Sequence, residues 1–378
     1  MAFLSGPRQV GKTTIARLFN ENSVYLNWDN DDHRRLIIKG PASVVEYIGL
    51  PKSRIVIFDE LHKYPNWKIF LKGFYDTFGL QSEFKIIVSG SARLDIYRKG
   101  GDSLMGRYFL YRVHPFTVGE LVSTDIPSKG YKKPSILPDS HWEKLVRFGG
   151  FPLPFLKGNT RYYNRWKRTR LSQIFREDIF DIARVHEIRM IEILAELLRL
   201  RAGQLANYAS LARQLRVSED SVRRWLGLLE NLYYCFSIRP WHKNIGRSLR
   251  KTPKYYLWDW GMIEDMGARN ENMIACHLLK TTHVLTDLGL GDFSLYFLRT
   301  KDRREVDFLV NRNGTPWFIA EVKSSDAALN KNLAYFQKAL GSKHAFQITM
   351  DAPYIDADCF SLPYPVKVPA RTFLSQLI

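Results

Sequence analysis

The stretch GPRQVGKTT, residues 6–14, decides the fold expected for the first part of this 378-residue chain. It satisfies the phosphate-loop pattern Gly-x4-Gly-Lys-Thr in full. The glycines let backbone N–H groups curl around phosphates, and the following helix adds the positive end of its dipole. The residues expected to bind a nucleotide are Gly6, Pro7, Arg8, Gln9, Val10, Gly11, Lys12, Thr13 and Thr14. The alternative is a glycine-containing strand-to-helix turn that binds nothing.

The run RIVIFDE, residues 54–60, favours the binding loop over that alternative. Its apolar, β-branched residues predict a buried parallel strand that brings Asp59 and Glu60 to the carboxyl end, where α/β sheets bind ligands. Beside a phosphate loop, Asp59 is expected to hold Mg²⁺ together with the hydroxyl of Thr13. Glu60 is expected to polarise the attacking water.

Two further strand-like runs complete an alternation of strands and helices. SVYLNWD (residues 23–29) lies between the two motifs, which is typical of P-loop enzymes that carry a catalytic glutamate. KIIVSGS (residues 85–91) ends in hydroxyl side chains suited to sensing a terminal phosphate. Ser91 is the predicted sensor, and a simple turn is the alternative. The alternation predicts an α/β fold built on the parallel sheet of a P-loop NTPase.

Composition limits the class of partner. Lys and Arg number 56 against 38 Asp and Glu, which gives a net charge of +18. A polyanion is therefore the expected partner, with DNA favoured, because each neutralised phosphate releases counterions. The apolar runs are shorter than a membrane span requires, so no membrane partner is expected. The three cysteines are widely spaced and indicate neither a disulfide framework nor a zinc site.

Five segments occur in an order that resembles a known family: GPRQVGKTT, FDELHKYPNW, VSGSARLD, SLMGRYFLYRVHPFTVGEL and FGGFP. Together they resemble prokaryotic AAA+-like ATPases that join a P-loop domain to a C-terminal domain of unknown function with a restriction-endonuclease-like fold. The resemblance implies ATP as ligand and Mg²⁺ as cofactor. It also implies that Arg107 is an arginine finger, acting in cis or on a neighbouring subunit of a homo-oligomer. An ordinary structural arginine is the alternative.

The first residues bear on the nucleotide pocket. Members of that family carry a helical segment before the first strand, and this segment helps to form the base pocket. The present sequence begins inside the strand, with MAFLSG, so we expect neither such a segment nor a signal peptide before the loop. We expect the phosphate contacts to be kept and the adenine contacts from that segment to be absent. A cytoplasmic location is expected.

Three segments are expected between the P-loop domain (residues 1–122) and the C-terminal domain (residues 261–378). Residues 123–140 are rich in Ser, Pro, Gly and Lys and predict a linker. Residues 141–200 predict a helical lid, with several arginines and aromatics interleaved near its centre. Those aromatics suit either base stacking or a buried helix face.

Residues 201–260 predict a winged helix. Two helices with apolar stripes flank the turn RVS, Ser218 is a natural N-cap, and the strand YYCFSI follows. Arg223 and Arg224 lie off the apolar stripe of the second helix, so they are the predicted nucleic-acid contacts. A winged-helix module used for packing or subunit contact is the alternative.

The last segment predicts the element order α-β-β-β-α-β, which fits the core of a restriction-endonuclease-like α/β domain. In that fold, Asp307 and the triplet Glu321-x-Lys323 stand where metal-binding carboxylates and a catalytic lysine are found, and Glu271 is a further candidate ligand. Two carboxylates would hold Mg²⁺ near a phosphate while the lysine positions water. Strand ends offer this pattern often, so alone it is a weak signal.

Three functional hypotheses remain open from the sequence. The first is an ATP-binding, ATP-hydrolysing AAA+-like protein whose nucleotide state controls nucleic-acid or partner engagement. The second is a metal-dependent nuclease gated by nucleotide. The third is a non-enzymatic scaffold that responds to nucleotide.

Overall fold

The structure, a computed structural model, describes residues 1–19, 23–49, 55–79, 85–90, 104–179, 185–242, 252–362 and 365–378. These residues form two compact units, Met1–His114 (unit 1) and Pro115–Ile378 (unit 2). The predicted sensor Ser91 and the basic segment 243–251 lie outside the described residues. Along the described chain, no helix is long and apolar enough to cross a membrane.

Unit 1 contains a five-stranded parallel sheet. Its strands are β1 (Ala2–Ser5), β2 (Ser23–Asn27), β3 (Ile55–Asp59), β4 (Lys85–Ser89) and β5 (Phe109–Arg112). They are ordered β2-β3-β4-β1-β5, and every neighbouring pair is parallel. The helices of the described part are α1 (Lys12–Leu18), α2 (Asp31–Lys39), α3 (Pro41–Ile48) and α4 (Trp67–Phe74). The predicted α/β class and parallel sheet are confirmed.

The inner strand β3 explains why the sheet is covered on both faces. All five of its residues are buried. Val56 and Phe58 belong to a core that includes residues of α3 and α4, whereas Ile55 and Ile57 belong to a second core with Ala16 of α1. Alternate residues of a strand point to opposite faces, so a continuous apolar run requires helices on both sides.

The register of the sheet brings polar residues to one edge. Asn27 of β2 lies beside Asp59 of β3, and Asp59 lies beside Ser89 of β4. Ser89 in turn lies beside Leu4 of β1, directly before the phosphate loop. Because the strands are parallel, their carboxyl ends meet at the same edge, and the candidate nucleotide site is assembled there.

Unit 2 contains a mixed seven-stranded sheet in the order β12-β11-β10-β9-β8-β6-β7. Its strands are β6 (Cys235–Pro240), β7 (Lys254–Leu257), β8 (Phe293–Arg299), β9 (Glu305–Arg312), β10 (Thr315–Lys323), β11 (His344–Thr349) and β12 (Pro365–Pro369). Its described helices are α5 (Val118–Val122), α6 (Asp139–Phe148), α7 (Pro152–Lys157), α8 (Thr160–Gln173), α9 (Val185–Leu200), α10 (Tyr208–Leu215), α11 (Glu219–Asn231), α12 (Met266–Asp287), α13 (Lys331–Leu340) and α14 (Ala370–Ser375). The predicted order α-β-β-β-α-β corresponds to α12, β8, β9, β10, α13 and β11.

Helices α10 and α11 occupy the predicted helix–turn–helix positions. The Ser218 hydroxyl caps α11 by accepting the backbone N–H of Ser221 at 3.1 Å. The predicted apolar stripe of α11 is buried. Strand β6, which follows, pairs with β7 in an antiparallel ribbon and with β8 in parallel at Arg239 and Pro240. The same strand therefore belongs both to the ribbon after α11 and to the large sheet.

The predicted linker, residues 123–140, is anchored to unit 2. Lys132 donates its backbone N–H to the Gln376 carbonyl at 2.7 Å, and its ammonium donates to the carbonyls of Gly119 and Ser123. Tyr131 stacks on Phe360 with ring centroids 4.3 Å apart. Hydrogen bonds to backbone carbonyls hold much of this segment. It therefore needs no apolar pattern, and its composition resembles that of a linker.

The predicted border at residue 122 also differs from the structural border at His114. Residues 115–122 pack within unit 2, where the Val118 backbone N–H donates to His277 Nε2 at 3.1 Å. A Cβ on Gly119 would lie 2.1 Å from the Leu377 carbonyl oxygen, so this glycine permits close backbone approach. The contact involves residues about 160 to 260 positions later in the chain, which local sequence patterns do not reveal.

Helix α8 carries the interleaved arginines and aromatics of the predicted lid. Tyr163 and Trp166 are buried, and their rings pack 6.0 Å apart. Arg161, Arg165 and Arg168 are exposed. These two aromatics therefore form the packed face of the helix and are not available for base stacking.

Candidate nucleotide site and carboxylate cluster

The phosphate loop connects β1 to α1. Gly6 has φ +150° and Gly11 has φ +100°, and between them Gln9 adopts a left-handed φ of 63°. A Cβ on Gly6 would lie 2.3 Å from the carbonyl oxygen of Val113, which leaves no room for any side chain there. The glycines of the motif thus allow both the backbone angles of the loop and the close approach of Val113, the residue that follows β5.

Lys12 is buried at the first position of α1. Its ammonium donates to the carbonyl oxygens of Gly6 at 2.9 Å and Pro7 at 2.7 Å. Burial lowers the pKa of Lys12 to about 8, while the carboxylates of Glu60 and Asp59 act in the opposite direction. The loop therefore holds a cationic group whose charge a bound phosphate would favour.

Asp59 is the centre of a hydroxyl network. Thr13 Oγ1 donates to Asp59 Oδ2 at 2.9 Å, and the Tyr25 hydroxyl donates to the same oxygen at 2.6 Å. The Ser89 hydroxyl donates to the other carboxylate oxygen. Asp59 is 4% exposed, so these three donors satisfy a carboxylate that has little contact with water.

Glu60 follows Asp59 in a left-handed backbone conformation, with φ 54°. Its backbone N–H donates to the Ser89 carbonyl at 3.0 Å, and its carboxylate lies 3.6 Å from the Lys63 ammonium. Burial raises the pKa of Glu60 above its usual value, which increases the basicity of this carboxylate. A strained backbone at a charged residue is a feature found at functional sites.

This edge of the sheet fits a magnesium–nucleotide complex. The glycine loop leaves room for backbone N–H groups to meet phosphate, and Lys12 supplies a positive charge to it. The 2.9 Å pair of Thr13 and Asp59 brings together the hydroxyl and carboxylate oxygens that Mg²⁺ prefers. These two residues would hold the metal, and Glu60 would face water beside it.

In unit 2, the structure brings together the four residues predicted for a nuclease-like site. Lys323 donates to Glu321 Oε1 at 2.8 Å, and the Val322 backbone N–H donates to Asp307 Oδ2 at 2.9 Å. Burial, followed by the charges of Glu271 and Glu321, raises the pKa of Asp307 well above its usual value. We call these carboxylates, together with the neighbouring Glu305, the carboxylate cluster.

A residue that sequence analysis missed lies inside the carboxylate cluster. The Lys254 ammonium is 2.7 Å from Glu305 Oε1, 3.5 Å from Glu271 Oε1 and 4.0 Å from Asp307 Oδ1. Across the described chain, no group of three or more Asp, Glu, His or Cys side chains is arranged to hold a metal ion. The carboxylates are therefore close together, but they surround an ammonium group.

Arg223 and Arg224 lie on the exposed side of α11, as predicted. Arg223 is 3.6 Å from Glu219 and stacks over the Tyr208 ring at 4.1 Å. Arg224 pairs with Glu187 at 2.5 Å. Both side chains are more than half exposed, so their guanidinium groups remain accessible to a polyanion that competes with these acidic partners.

Comparison with known families bears on the first part of the chain. Residues 1–122 match a family model described as an AAA domain. This region is similar to an AAA domain, and we call it the AAA domain below. Residues 139–272 and 266–359 match two further models, each described as a domain of unknown function (DUF8612 and DUF4143). The match to the first model covers the P-loop and the acidic strand end, and the other two matches assign no activity to unit 2.

The relatives of the chain include proteins without an assigned function. An uncharacterized protein of Mycobacterium tuberculosis is 26% identical over 344 residues, which cover 88% of this chain and 72% of that protein. An uncharacterized protein of Haemophilus influenzae is 23% identical and covers 82% and 79%. Among solved structures, Aeropyrum pernix ORC1 in complex with DNA aligns with a TM-score of 0.31 at 15% identity, covering 72% of this chain and 86% of that one. Thermotoga maritima RuvB aligns with a TM-score of 0.30 at 14% identity, covering 62% and 80%.

Arg107 lies at the opposite end of the AAA domain's sheet from the phosphate loop. Its guanidinium pairs with both carboxylate oxygens of Asp76, at 2.8 and 2.9 Å, and its carbonyl accepts from the Met1 amino group. The loop begins at the other end of β1, about 13 Å away for four residues at about 3.3 Å each. The cis arginine-finger prediction does not fit this position, which leaves the trans role as a proposal.

Two residues of the AAA domain site were not predicted as Asp59 partners. Tyr25 lies in the middle of β2, and Ser89 ends β4, where Ser91 and not Ser89 is the predicted phosphate sensor. Their contact with Asp59 depends on the register of β2, β3 and β4. A hydroxyl side chain on each strand that neighbours β3 is the signal that could have identified them.

Nucleotide binding to the AAA domain is expected to take up a proton at alkaline pH. The pKa of Lys12 is about 8 without phosphate, so binding near pH 9 must recharge the lysine and affinity should fall by up to about tenfold per pH unit above 8. Calorimetry in two buffers with different ionisation enthalpies measures this uptake.

Lys12→Arg is the matched control for this proton uptake, because a guanidinium stays charged and should take up no proton. The same pKa shift also makes the stability of the fold depend on pH. The unfolded chain, with its lysine pKa at 10.5, holds a proton that the fold releases, so stability without nucleotide should rise between about pH 8 and 10.5. Equal proton uptake in both proteins would contradict the assignment to Lys12.

Proposed function

We propose that this protein is a magnesium-dependent ATPase whose nucleotide state controls its engagement of nucleic acid. The observation that carries the ATPase is the contact of Thr13 with Asp59 beside the buried Lys12. A P-loop that bound nothing would not require a metal-binding hydroxyl and carboxylate within 2.9 Å of each other.

The residues divide the chemistry between them. Lys12 and the loop N–H groups would bind the β- and γ-phosphates and hold the terminal phosphoryl group in position. Mg²⁺ held by Thr13 and Asp59 supplies positive charge that neutralises phosphate oxygens. Glu60 would accept a hydrogen bond from the attacking water, and its raised pKa suits it to take up the proton.

Nucleic-acid engagement is supported by charge and by the second helix of the helix–turn–helix. The chain carries a net charge of +18, and Arg223 and Arg224 are exposed on α11. Salt bridges on exposed surfaces contribute little, so exchanging Glu219 or Glu187 for a phosphate costs little. This part of the proposal, in which the predicted winged helix binds duplex DNA, rests on electrostatics and exposure.

Fluorescence anisotropy of a labelled duplex tests this proposal. We expect duplex affinity to differ between Mg²⁺ with a non-hydrolysable ATP analogue and Mg²⁺ with ADP in the wild type, and not in Lys12→Ala. Arg223→Gln combined with Arg224→Gln should weaken binding on the order of tenfold and reduce the salt slope by about 2. Lys338→Gln, an exposed lysine on α13, is the control.

The outcomes of that titration separate the parts of the proposal. Identical duplex affinity in both nucleotide states would contradict nucleotide control. Unchanged affinity in the double variant would contradict the role of α11. A scaffold without turnover, the non-enzymatic alternative, predicts no phosphate release above the Lys12→Ala background. A metal-dependent nuclease is not proposed, because Lys254 lies among the carboxylates that would need to bind the metal.

A further inference from the structure

The carboxylate cluster is held around a buried cation supplied by the chain itself. Lys254 is 4% exposed and stands at the first position of β7. Its ammonium contacts Glu271 from α12 and Glu305 and Asp307 from β9. One positive group thus joins two secondary-structure elements that carry like charges. Without it, these carboxylates would repel one another in a site with little water.

Several oxygens of the cluster also accept hydrogen bonds from other groups of the chain. Glu271 accepts from the Tyr256 hydroxyl at 2.7 Å. Glu305 accepts from Arg299 at 2.6 Å. Glu321 accepts from both Lys323 and Asn330, at 2.8 and 2.9 Å. A divalent ion that used these oxygens at about 2.0–2.6 Å in an ordered shell would have to displace several donors at once.

We propose that the Lys254 ammonium is the resident cation of the carboxylate cluster and that it excludes a divalent metal from it. The cluster keeps the residue types and proximity of a metal site, while the Lys254 ammonium supplies a positive charge among its carboxylates. Unit 2 consequently does not carry out metal-dependent cleavage at this cluster. The alternative is that a metal binds beside Lys254, between Asp307 and Glu321, with the lysine as an ordinary ion-pair partner.

The arrangement gives the lysine a role that can be removed by a single substitution. Met has a similar length and no charge. Lys254→Met therefore removes the ammonium group and leaves the carboxylates to repel one another. Oxygen-rich sites of this kind suit Mn²⁺ and Mg²⁺. Removing the ammonium is therefore expected to convert the cluster into a divalent-cation site.

Mn²⁺ titration of the full-length chain, without nucleotide, tests this inference by calorimetry and by thermal unfolding. The wild type should show no Mn²⁺ binding that depends on Asp307. Lys254→Met should unfold at a lower temperature without metal, bind Mn²⁺, and regain stability as Mn²⁺ is added. Adding Asp307→Asn to Lys254→Met should remove both the binding and the regained stability.

A matched control comes from a second buried lysine. Lys280 is 6% exposed and contacts a single carboxylate, Glu120. Lys280→Met should also destabilise the protein, but it should not gain Mn²⁺ binding. If Lys254→Met does not fold, Lys254→Met with Glu305→Gln reduces the repulsion and keeps Glu271, Asp307 and Glu321 as ligands.

Two results would overturn the inference. The first is Asp307-dependent Mn²⁺ binding by the wild type, which would show that Lys254 and a metal coexist. The second is a folded Lys254→Met or Lys254→Met/Glu305→Gln protein that gains no Mn²⁺ binding, which would show that the ammonium is not what excludes the metal. Neither result concerns the ATPase site, so the inference stands or falls separately from the proposed function.

Discussion

Replacing Lys12 with alanine is expected to weaken MgATP binding by about 100-fold, equivalent to about 2.7 kcal/mol, and to reduce phosphate release to background. The ammonium is the cation that the phosphate loop presents to the β- and γ-phosphates, and alanine offers nothing in its place. Binding is measured by calorimetry and turnover by steady-state phosphate release.

The loss in Lys12→Ala should be functional and not structural. Burial lowers the pKa of Lys12, which means that the charged lysine is unfavourable in the fold before phosphate binds. The melting temperature without nucleotide should therefore stay close to that of the wild type. Lys39→Ala, at an exposed position of α2, is the control and should change neither binding nor turnover. Wild-type turnover by Lys12→Ala would rule out the P-loop as the ATPase site.

Replacing Glu60 with glutamine is expected to lower turnover by about 10²–10⁴-fold while MgATP affinity changes by less than about threefold. Glutamine keeps the shape of the side chain and one accepting oxygen but cannot accept the proton from water. Single-turnover hydrolysis compared with equilibrium binding separates the two effects. The variant should accumulate bound ATP.

Two comparisons sharpen the Glu60 prediction. Asp59→Asn should weaken Mg²⁺-dependent binding as well as turnover, because Asp59 contacts the Thr13 hydroxyl and would share the metal with it. Glu46→Gln, on the exposed side of α3, should behave as the wild type. If Glu60→Gln lost binding and turnover together, Glu60 would be a structural partner of Lys63 and not the general base.

The AAA domain could be predicted from sequence because its evidence is local. The phosphate loop is continuous, and β3 is an apolar run that ends directly in Asp59-Glu60. The partners of Asp59 could not be predicted in the same way. Tyr25 and Ser89 meet it only through the alignment of three parallel strands, and a shift in register would move each hydroxyl away.

Unit 2 shows a second limit of sequence analysis. Glu321 and Lys323 are two residues apart on one strand, so their pairing follows from the pattern. Lys254 comes more than 50 residues before Asp307 and belongs to a different strand, so nothing local connects them. The sequence pattern therefore predicted the carboxylates but not the ammonium group that lies among them. The contacts of segment 123–140 could not be predicted for a related reason, because the residue that accepts from the Lys132 backbone lies near the end of the chain.

Strand β6 joins the ribbon after α11 to the large sheet without a break in its backbone. Residues Cys235–Ile238 of this strand pair with β7, and the next two residues, Arg239 and Pro240, pair with β8. Moving α10 and α11 away from the seven-stranded sheet would therefore bend β6 or break its pairing with β8. Excising residues 201–260 as a separate module would remove that pairing, so α10 and α11 are best studied within the whole of unit 2.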